Sequence, residues 1–153
     1  MNKVIEDIKL DFEDVLIYPV PSDKSLTRKS VDIEIDWLDT KAYPVVISNM
    51  LSTGTYKIAN ILTPLKFFTF IHKEYTVEEH LKELSKMNDR RYIAITSGVQ
   101  SWDKERTIEV VKKYPDIGMI NVDIANVYAN VKGMLDTLQI YRKEFPHITI
   151  SAG

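Results

Sequence analysis

The fold class is decided by residues 117–152, which read IGMINVDIANVYANVKGMLDTLQIYRKEFPHITISA. Ile117–Ile124 and Ile148–Ala152 are short apolar runs, and Tyr128–Phe145 between them has apolar residues at spacings of three and four. Pro146 ends the helical pattern, because proline lacks the amide N–H that a helix needs. The stretch therefore predicts a strand, a helix and a strand, with a connection long enough for a right-handed crossover between parallel strands.

The same alternation of strand and helix continues upstream through residues 44–153. Apolar strand patterns begin near residues 44, 67, 92, 117 and 148. Helical patterns fill the intervals, and one of them opens with the capping box Thr76-Val77-Glu78-Glu79. We therefore predict an α/β fold with parallel strands. The pattern is compatible with a doubly wound sheet and with part of a (β/α)8 barrel.

Residues 1–43 lie outside this pattern, and we interpret them as a leader with a hairpin. Tyr18-Pro19-Val20-Pro21 favours extended chain, because its two prolines exclude a helix. Val31–Ile35 alternates apolar and charged residues, which predicts a strand with one buried face. The predicted organisation is thus a leader and hairpin over residues 1–43, followed by β/α units over residues 44–153.

Length and composition exclude several classes of protein. The chain has 153 residues, 44% hydrophobic and 27% charged, which is typical of a single globular domain. The net charge of -2 gives no electrostatic basis for binding nucleic acid or an anionic membrane, and no apolar run is long enough to span a bilayer. The N-terminus is too polar for a secretory signal, so we expect a cytoplasmic protein. The cysteine count of zero excludes disulfides, thiolate metal sites and a cysteine nucleophile within this sequence.

Polar and small residues follow each of the first four predicted strands of the β/α units. These segments are Ser48–Thr55, His72–Tyr75, Ser97–Ser101 and Asp123–Tyr128. Since ligands of parallel α/β folds bind beyond the carboxyl ends of the strands, we expect the segments to line a site for a phosphate-bearing or multi-hydroxyl ligand.

Each of these segments also has a purely structural interpretation. Ser52, Thr53 or Thr55 would cap the first helix, and His72 would be a hydrogen-bonded loop residue. Asp123 would bond the backbone amides of the following helix. The sequence contains no glycine-rich phosphate loop and no metal-binding motif, and the set Ser48, His72 and Asp123 lacks the nucleophile elbow of a hydrolase.

Several blocks nevertheless recur with the order and spacing of one family's motifs. They are LDFEDVL at Leu10–Leu16, PVVISNM at Pro44–Met50, FTFIHKEY at Phe68–Tyr75, VDIAN at Val122–Asn126 and RKEFPHITISAG at Arg142–Gly153. They resemble LDFxDVLL, PIIAANM, LFTxxHKHYS, LDVAN and RKRFPxxxIMAG of the GMP reductase branch of the inosine-5′-monophosphate dehydrogenase/GMP reductase family. The resemblance implies a (β/α)8 barrel, of which this chain is the N-terminal half with about the first five strands and four helices.

The family's activity is NADPH-dependent reductive deamination of GMP to IMP and ammonia. A cysteine that attacks the purine C2 carbon and a potassium-binding loop belong to the second half of the barrel, so the potassium site is absent from this chain. Because there is no cysteine to form the covalent intermediate, we expect the chain to be inactive alone and to need a complementing C-terminal half-barrel chain. Self-association through its open strand edges is the alternative pairing.

The resemblance also assigns site residues. Six positions match cofactor-binding positions of the family: Thr27, Arg28, Lys73, Asp123, Ile124 and Ala125. Two positions, Ser48 and Met50, match positions that hold the substrate nucleotide. Leu51 replaces an aspartate of the family and Val127 replaces a glycine, and we expect both changes to weaken ligand binding.

Three other functions remain open at this point. The chain could be a truncated, non-catalytic nucleotide-binding or docking module. It could be a fragment of an inosine-5′-monophosphate dehydrogenase, although the short step from Met87 to Tyr92 leaves no room for the regulatory domain common in that branch. It could also be a complete five-stranded nucleotide-binding domain.

Overall fold

A computed structural model describes residues 7–8, 10–21 and 27–153. The chain divides into two units, Met1–Asp32 and Ile33–Gly153, which are described separately. Of the leader predicted over residues 1–43, residues 1–6, 9 and 22–26 lie outside the described part.

The described part of the first unit contains a 3-10 helix at Phe12–Asp14. Asp11 caps this helix through two hydrogen bonds: the Phe12 amide donates to Asp11 Oδ1 at 2.7 Å, and the Asp11 amide donates to Asp14 Oδ2 at 2.8 Å. Residues 15–21 have no regular secondary structure, as their prolines predict. Phe12, Leu16 and Ile17 are more than nine-tenths exposed.

The second unit contains a hairpin followed by β/α units. Its strands are β1 (Ile35–Trp37), β2 (Thr40–Ala42), β3 (Val46–Ile47), β4 (Phe68–Ile71), β5 (Ile93–Ser97), β6 (Met119–Val122) and β7 (Thr149–Ala152). Its helices are α1 (Tyr56–Leu62), α2 (Val77–Leu84), α3 (Ser101–Lys113) and α4 (Val131–Glu144), with 3-10 turns at Thr63–Leu65 and Val127–Ala129. The predicted β/α alternation is confirmed.

Strand order distinguishes the two α/β architectures. The sheet order is β3-β4-β5-β6-β7 and every neighbouring pair is parallel. A doubly wound sheet reverses its order at a switch point, whereas strands of a barrel follow one another around the axis in chain order. The structure therefore contains five consecutive strands of a barrel-type sheet.

The main core lies between one face of this sheet and the four helices. The strand side of the core consists of Ile71, Ile93, Ile95, Ile120 and Val122. The two residues of β5 and the two of β6 lie two positions apart, and Ile71 is paired with Ile95, so all five share one face. Buried residues of all four helices complete the core: Tyr56 and Ala59, Leu84, Val110 and Val111, and Met134 and Tyr141. The opposite face is more polar, and there Asn121 Nδ2 donates to Thr96 Oγ1 at 3.4 Å.

Capping residues recognisable in the sequence mark the starts of α1 and α2. The capping box predicted at Thr76 is present. Thr76 Oγ1 accepts a hydrogen bond from the Glu79 amide at 3.2 Å, and Glu79 Oε2 accepts one from the Thr76 amide at 2.8 Å. Thr55, one of three residues proposed as a cap, accepts the Ile58 amide at 3.3 Å. The α-helix then ends at Leu62, just before the 3-10 turn that contains Pro64.

The hairpin packs at the amino ends of the strands. The ring of Trp37 stacks on Phe68 with centroids 5.7 Å apart, and Tyr92 donates its hydroxyl to the Lys41 carbonyl at 2.8 Å. The strand predicted at Val31–Ile35 is wrong, since β1 begins only at Ile35 and the alternating residues before it, such as Ile33 (60% exposed), stay at the surface. Alternation alone did not locate the strand, because pairing forms where Trp37 and Ala42 can bury against the sheet.

The outer strands of the described sheet are β3 and β7. The Gly153 amide donates to the Val122 carbonyl at 3.0 Å, and the Gly153 carbonyl accepts from the Ile124 amide at 3.1 Å. Because successive residues of a strand direct their backbone groups to opposite sides, the amide and carbonyl of Ala152 point away from β6. The outer edge of β7 thus presents backbone donors and acceptors for a further strand.

Candidate functional site

A groove lies at the carboxyl ends of the strands, where the sequence predicts a site. Its volume is about 420 Å³, and it is lined by Asn49, Met50, Leu51, Ser52, His72, Lys73, Glu74 and Asp123. These residues come from the loops after β3, β4 and β6. The structure therefore brings together Met50, Lys73 and Asp123, three of the predicted site residues.

Asp123 is held across the mouth of the sheet. Its Oδ2 accepts a hydrogen bond from Asn49 Nδ2 at 2.7 Å, and its amide donates to the Ser97 carbonyl at 2.9 Å. Among the described residues only Oδ2 of this carboxylate is engaged by a side chain. The second oxygen is left to accept a hydrogen bond from a ligand hydroxyl.

Lys73 lies in a short turn after β4. The rings on either side of it, His72 and Tyr75, stack with centroids 4.3 Å apart and an interplanar angle of 16°. His72 Nδ1 accepts from the Glu74 amide at 3.2 Å, and burial lowers the pKa of this imidazole. Within the described chain Lys73 forms no ion pair, so its ammonium is left to pair with an anionic group.

The loop after β3 is folded tightly around Met50. The Met50 carbonyl accepts from the amides of Thr53 at 3.0 Å and Gly54 at 2.7 Å, and the Thr53 hydroxyl donates to the Ser48 carbonyl at 3.0 Å. A Cβ on Gly54 would lie 2.4 Å from the Phe70 carbonyl oxygen, so only glycine fits this close approach to β4. The loop fixes Ser48 at the end of β3 and leaves Met50 63% exposed at the groove.

Ile124 and Ala125 occupy the segment between β6 and a 3-10 turn. Ile124 packs against the main core and its amide donates to the Gly153 carbonyl, whereas Ala125 is exposed. Neither residue lines the groove. Asn126 begins the 3-10 turn by accepting the Ala129 amide at 3.2 Å.

Thr27 and Arg28 lie in the first unit. The amide of Thr27 donates to Ser30 Oγ at 2.8 Å, and the amide of Ser30 donates to the Thr27 carbonyl at 3.0 Å, which closes a turn. Arg28 is exposed within this turn. Their assignment to a cofactor site stays a prediction.

The two departures from the family pattern have different structural consequences. Val127 packs its side chain against the core and takes part in the 3-10 turn. Among the described non-glycine residues only Leu38 and Lys66 have positive φ, so Val127 does not need the conformational freedom of glycine. Leu51 is 68% exposed at the groove, where it adds apolar surface in place of a charge.

The hydrolase-like set of Ser48, His72 and Asp123 is not assembled. Ser48 Oγ lies 3.3 Å from Thr53 Oγ1, His72 Nδ1 is used by the Glu74 amide, and Asp123 is bonded to Asn49. Each of the three is therefore committed to a different local contact.

Sequence reasoning placed Asn49 and Glu74 in segments expected to line a site but assigned neither residue a role. Asn49 lies two positions after β3, at the carboxyl end where a ligand site is expected, so its position was a usable signal. Its contact with Asp123 spans 74 residues of sequence and no local pattern reports it.

No family model matches the chain. Individual curated proteins match it along its whole length. It is 34% identical to GMP reductase of Phytophthora infestans, 32% identical to GMP reductase of Onchocerca volvulus and 32% identical to GMP reductase 2 of Bos taurus, with all of this chain aligned each time. The chain is similar to the N-terminal part of the GMP reductases. It spans less than half of their length, namely 43%, 44% and 45% of these three proteins.

A solved structure agrees with the fold. Inosine 5′-monophosphate dehydrogenase of Legionella pneumophila superposes with a TM-score of 0.70 at 22% identity, over 88% of this chain and 41% of that one. At this identity the likeness concerns the fold, and it supports the partial barrel. No helix in the described part of the chain is long and apolar enough to cross a membrane.

Proposed function

We propose that residues 44–153 supply the first five strands and four helices of a GMP reductase barrel. Together with a half that contains strands six to eight, they would catalyse NADPH-dependent reductive deamination of GMP to IMP and ammonia. The observation that carries this proposal is the alignment of the whole chain with GMP reductases. Because the sequence contains no cysteine, the nucleophile comes from the completing half.

The residues of the groove fit the chemistry of NADPH. The ammonium of Lys73 pairs with a phosphate group, and the free oxygen of Asp123 accepts a hydrogen bond from a ribose hydroxyl. Ile124, Ala125, Thr27 and Arg28 are the further cofactor contacts in this proposal. When bound, NADPH supplies the hydride for the reduction.

The remaining groove residues act on the substrate side. The Ser48 hydroxyl, held near Thr53, donates to the nucleotide, and the exposed thioether of Met50 packs against its flat purine ring. Leu51 beside it excludes water from the same surface. Asn49 keeps the Asp123 carboxylate in place between the two ligands.

A second candidate is a non-catalytic module that binds a nucleotide or docks on a complete enzyme. The replacement of an acidic residue by Leu51 at the groove favours it, because one charged contact of the family pattern is lost. This module would bind NADPH or GMP without supporting turnover. A dehydrogenase fragment is less well supported, since the curated relatives reported above are reductases.

The test is reconstitution of activity. This chain is combined with the C-terminal part of the Phytophthora infestans GMP reductase, and NADPH consumption is followed with and without GMP. We expect consumption that depends on GMP and on both polypeptides, with ammonia released in equal amount. Lys73→Ala should raise the KM for NADPH about tenfold or more, because a charge-assisted contact is lost.

Lys57→Ala is the matched control, because Lys57 is an exposed lysine on α1 outside the groove and should leave the KM unchanged. A complex that binds NADPH but never consumes it would contradict the reductase proposal and support the binding module. The absence of both complex and binding would contradict both.

A further inference from the structure

We propose that Tyr75 is the positioning residue that holds Lys73 in the groove. The inference rests on the proposed role of Lys73 in NADPH binding and extends it to a residue that does not line the groove itself. The observations that support the inference are the contacts of the Tyr75 ring with other aromatic rings on both of its sides.

On the groove side, Tyr75 closes the turn that bears Lys73. Its ring stacks on His72, three residues earlier, with the planes inclined by only 16°. The hydrogen bond from the Glu74 amide to His72 Nδ1, 3.2 Å long, crosses the same turn. Lys73 and Glu74 are therefore the tip of a turn whose base is fixed by a stacked ring pair.

On the other side, Tyr75 is anchored in the core. Its ring lies 5.0 Å from the ring of Tyr56 on α1 and 5.6 Å from the ring of His80 on α2. Both anchor residues are buried, with 2% and 0% of their surface exposed. The turn is thus connected through one aromatic ring to two helices.

Tyr56 and His80, the two residues that anchor Tyr75, are hydrogen-bonded to each other and uncharged. The Tyr56 hydroxyl lies 2.5 Å from His80 Nδ1, and the two rings meet edge to face at 83°. Burial lowers the pKa of His80 to about 3, so its imidazole is neutral, and one hydrogen bond joins its Nδ1 to the Tyr56 hydroxyl. Burial also raises the pKa of Tyr56, so the phenol stays protonated.

The flexible four-carbon stem of Lys73 loses rotamer freedom when its ammonium binds an anion, and this cost remains in any arrangement. A turn that is already fixed on both sides of Lys73 removes the separate cost of ordering the backbone before the ligand arrives. No hydrogen bond from the Tyr75 hydroxyl is present within the described residues, so the ring alone carries the effect.

The first measurement is the NADPH affinity, by titration, of this chain combined with the C-terminal part of the Phytophthora infestans GMP reductase. The variants are Tyr75→Leu, Tyr75→Phe, Lys73→Ala and the double variant of Tyr75→Leu with Lys73→Ala. Loss of an aromatic pair predicts that Tyr75→Leu weakens binding about two- to tenfold, whereas Tyr75→Phe keeps the ring and the affinity. If Tyr75 acts through Lys73, the double variant binds no more weakly than Lys73→Ala alone. Additive losses would overturn the proposal, because they would mean a general structural effect.

The second measurement does not need a ligand. Hydrogen exchange of the Glu74 amide reports the turn directly, and the Ile95 amide in the core strand β5 is the internal reference. We expect Tyr75→Leu to speed exchange at Glu74 and not at Ile95, and Tyr75→Phe to leave both unchanged. Unchanged exchange at Glu74 in Tyr75→Leu would overturn the positioning role. A reconstituted complex that shows this exchange pattern but binds no NADPH would contradict the proposed function and leave the positioning role standing.

Discussion

Asn49 and Asp123 join opposite parts of the sheet across the mouth of the groove. The amide of Asn49 follows β3 and the carboxylate of Asp123 follows β6, and their side chains meet at 2.7 Å although β4 and β5 lie between those strands. Such a contact requires a strongly curved sheet, since neighbouring strands are about 4.8 Å apart. The hydrogen bond therefore links the curvature of the partial barrel to the position of a carboxylate at the site.

Substitution of Asn49 by alanine should weaken this link. Asn49→Ala removes a partly buried hydrogen bond to a carboxylate, so we expect the free energy of unfolding to fall by about 1 kcal/mol. Urea unfolding followed by circular dichroism measures the change. Ser52→Ala, at an exposed neighbouring position, is the control and should have little effect. Equal stability of Asn49→Ala and the native chain would show that the contact does not form in solution.

The buried pair of Tyr56 and His80 predicts a non-additive mutational pattern. Tyr56→Phe leaves His80 Nδ1 without its partner in the core, and His80 Nε2 already has no partner among the described residues. We expect a loss of about 1–3 kcal/mol in the free energy of unfolding. The double variant Tyr56→Phe with His80→Leu replaces both partners by apolar groups and should recover most of that loss. Denaturant unfolding of Tyr56→Phe, of His80→Leu and of the double variant measures the three losses. A loss in the double variant equal to the sum of the two single losses would contradict the pairing.

His80 also predicts a pH dependence of stability. Its pKa is lowered from 6.5 to about 3 by burial, with a smaller contribution from Arg106. Between these values the unfolded chain binds a proton that the folded chain does not, so stability falls as the pH decreases below 6.5. The expected loss from about pH 7 to about pH 5 is about 2 kcal/mol.

Thermal or urea unfolding across this pH range measures the effect. The double variant of Tyr56→Phe with His80→Leu should show a flatter profile, and His147→Ala, which removes an exposed histidine, should keep the native one. The lowered pKa of His72 acts in the same direction and would account for a small residual slope. A native profile that is already flat would contradict the neutral burial of His80.

The strands and helices were predictable because their signals are local. The Thr76 capping box and the apolar spacing over residues 128–145 each specify an element without tertiary information. The strand predicted at Val31–Ile35 failed, because its pairing depends on burial of Trp37 against Phe68, which the alternation of residues does not report. Strand order, which distinguishes a barrel from a doubly wound sheet, is likewise a property of tertiary structure.

The position of the groove residues was predictable from the sequence, but the contacts among them were not. The positions of Met50, Lys73 and Asp123 after three parallel strands were sufficient to place them at one end of the sheet. The bond from Asn49 to Asp123 and the ring contacts of Tyr75 join residues far apart in sequence, or on different elements. Only the folded backbone brings these groups within contact distance.

We propose that this chain is one part of a barrel, completed through the outer edges of β3 and β7. Ala152 directs its backbone away from β6, so Ala152→Pro should remove a donor needed by the next strand while leaving the β6–β7 pairing intact. Ala152→Thr keeps the amide and is the matched control. The most direct measurement is light scattering after size exclusion of an equimolar mixture with the C-terminal part of a GMP reductase. We expect a one-to-one complex for the native chain and for Ala152→Thr, and its loss in Ala152→Pro. Separate elution of the native chain and the C-terminal part would contradict the claim.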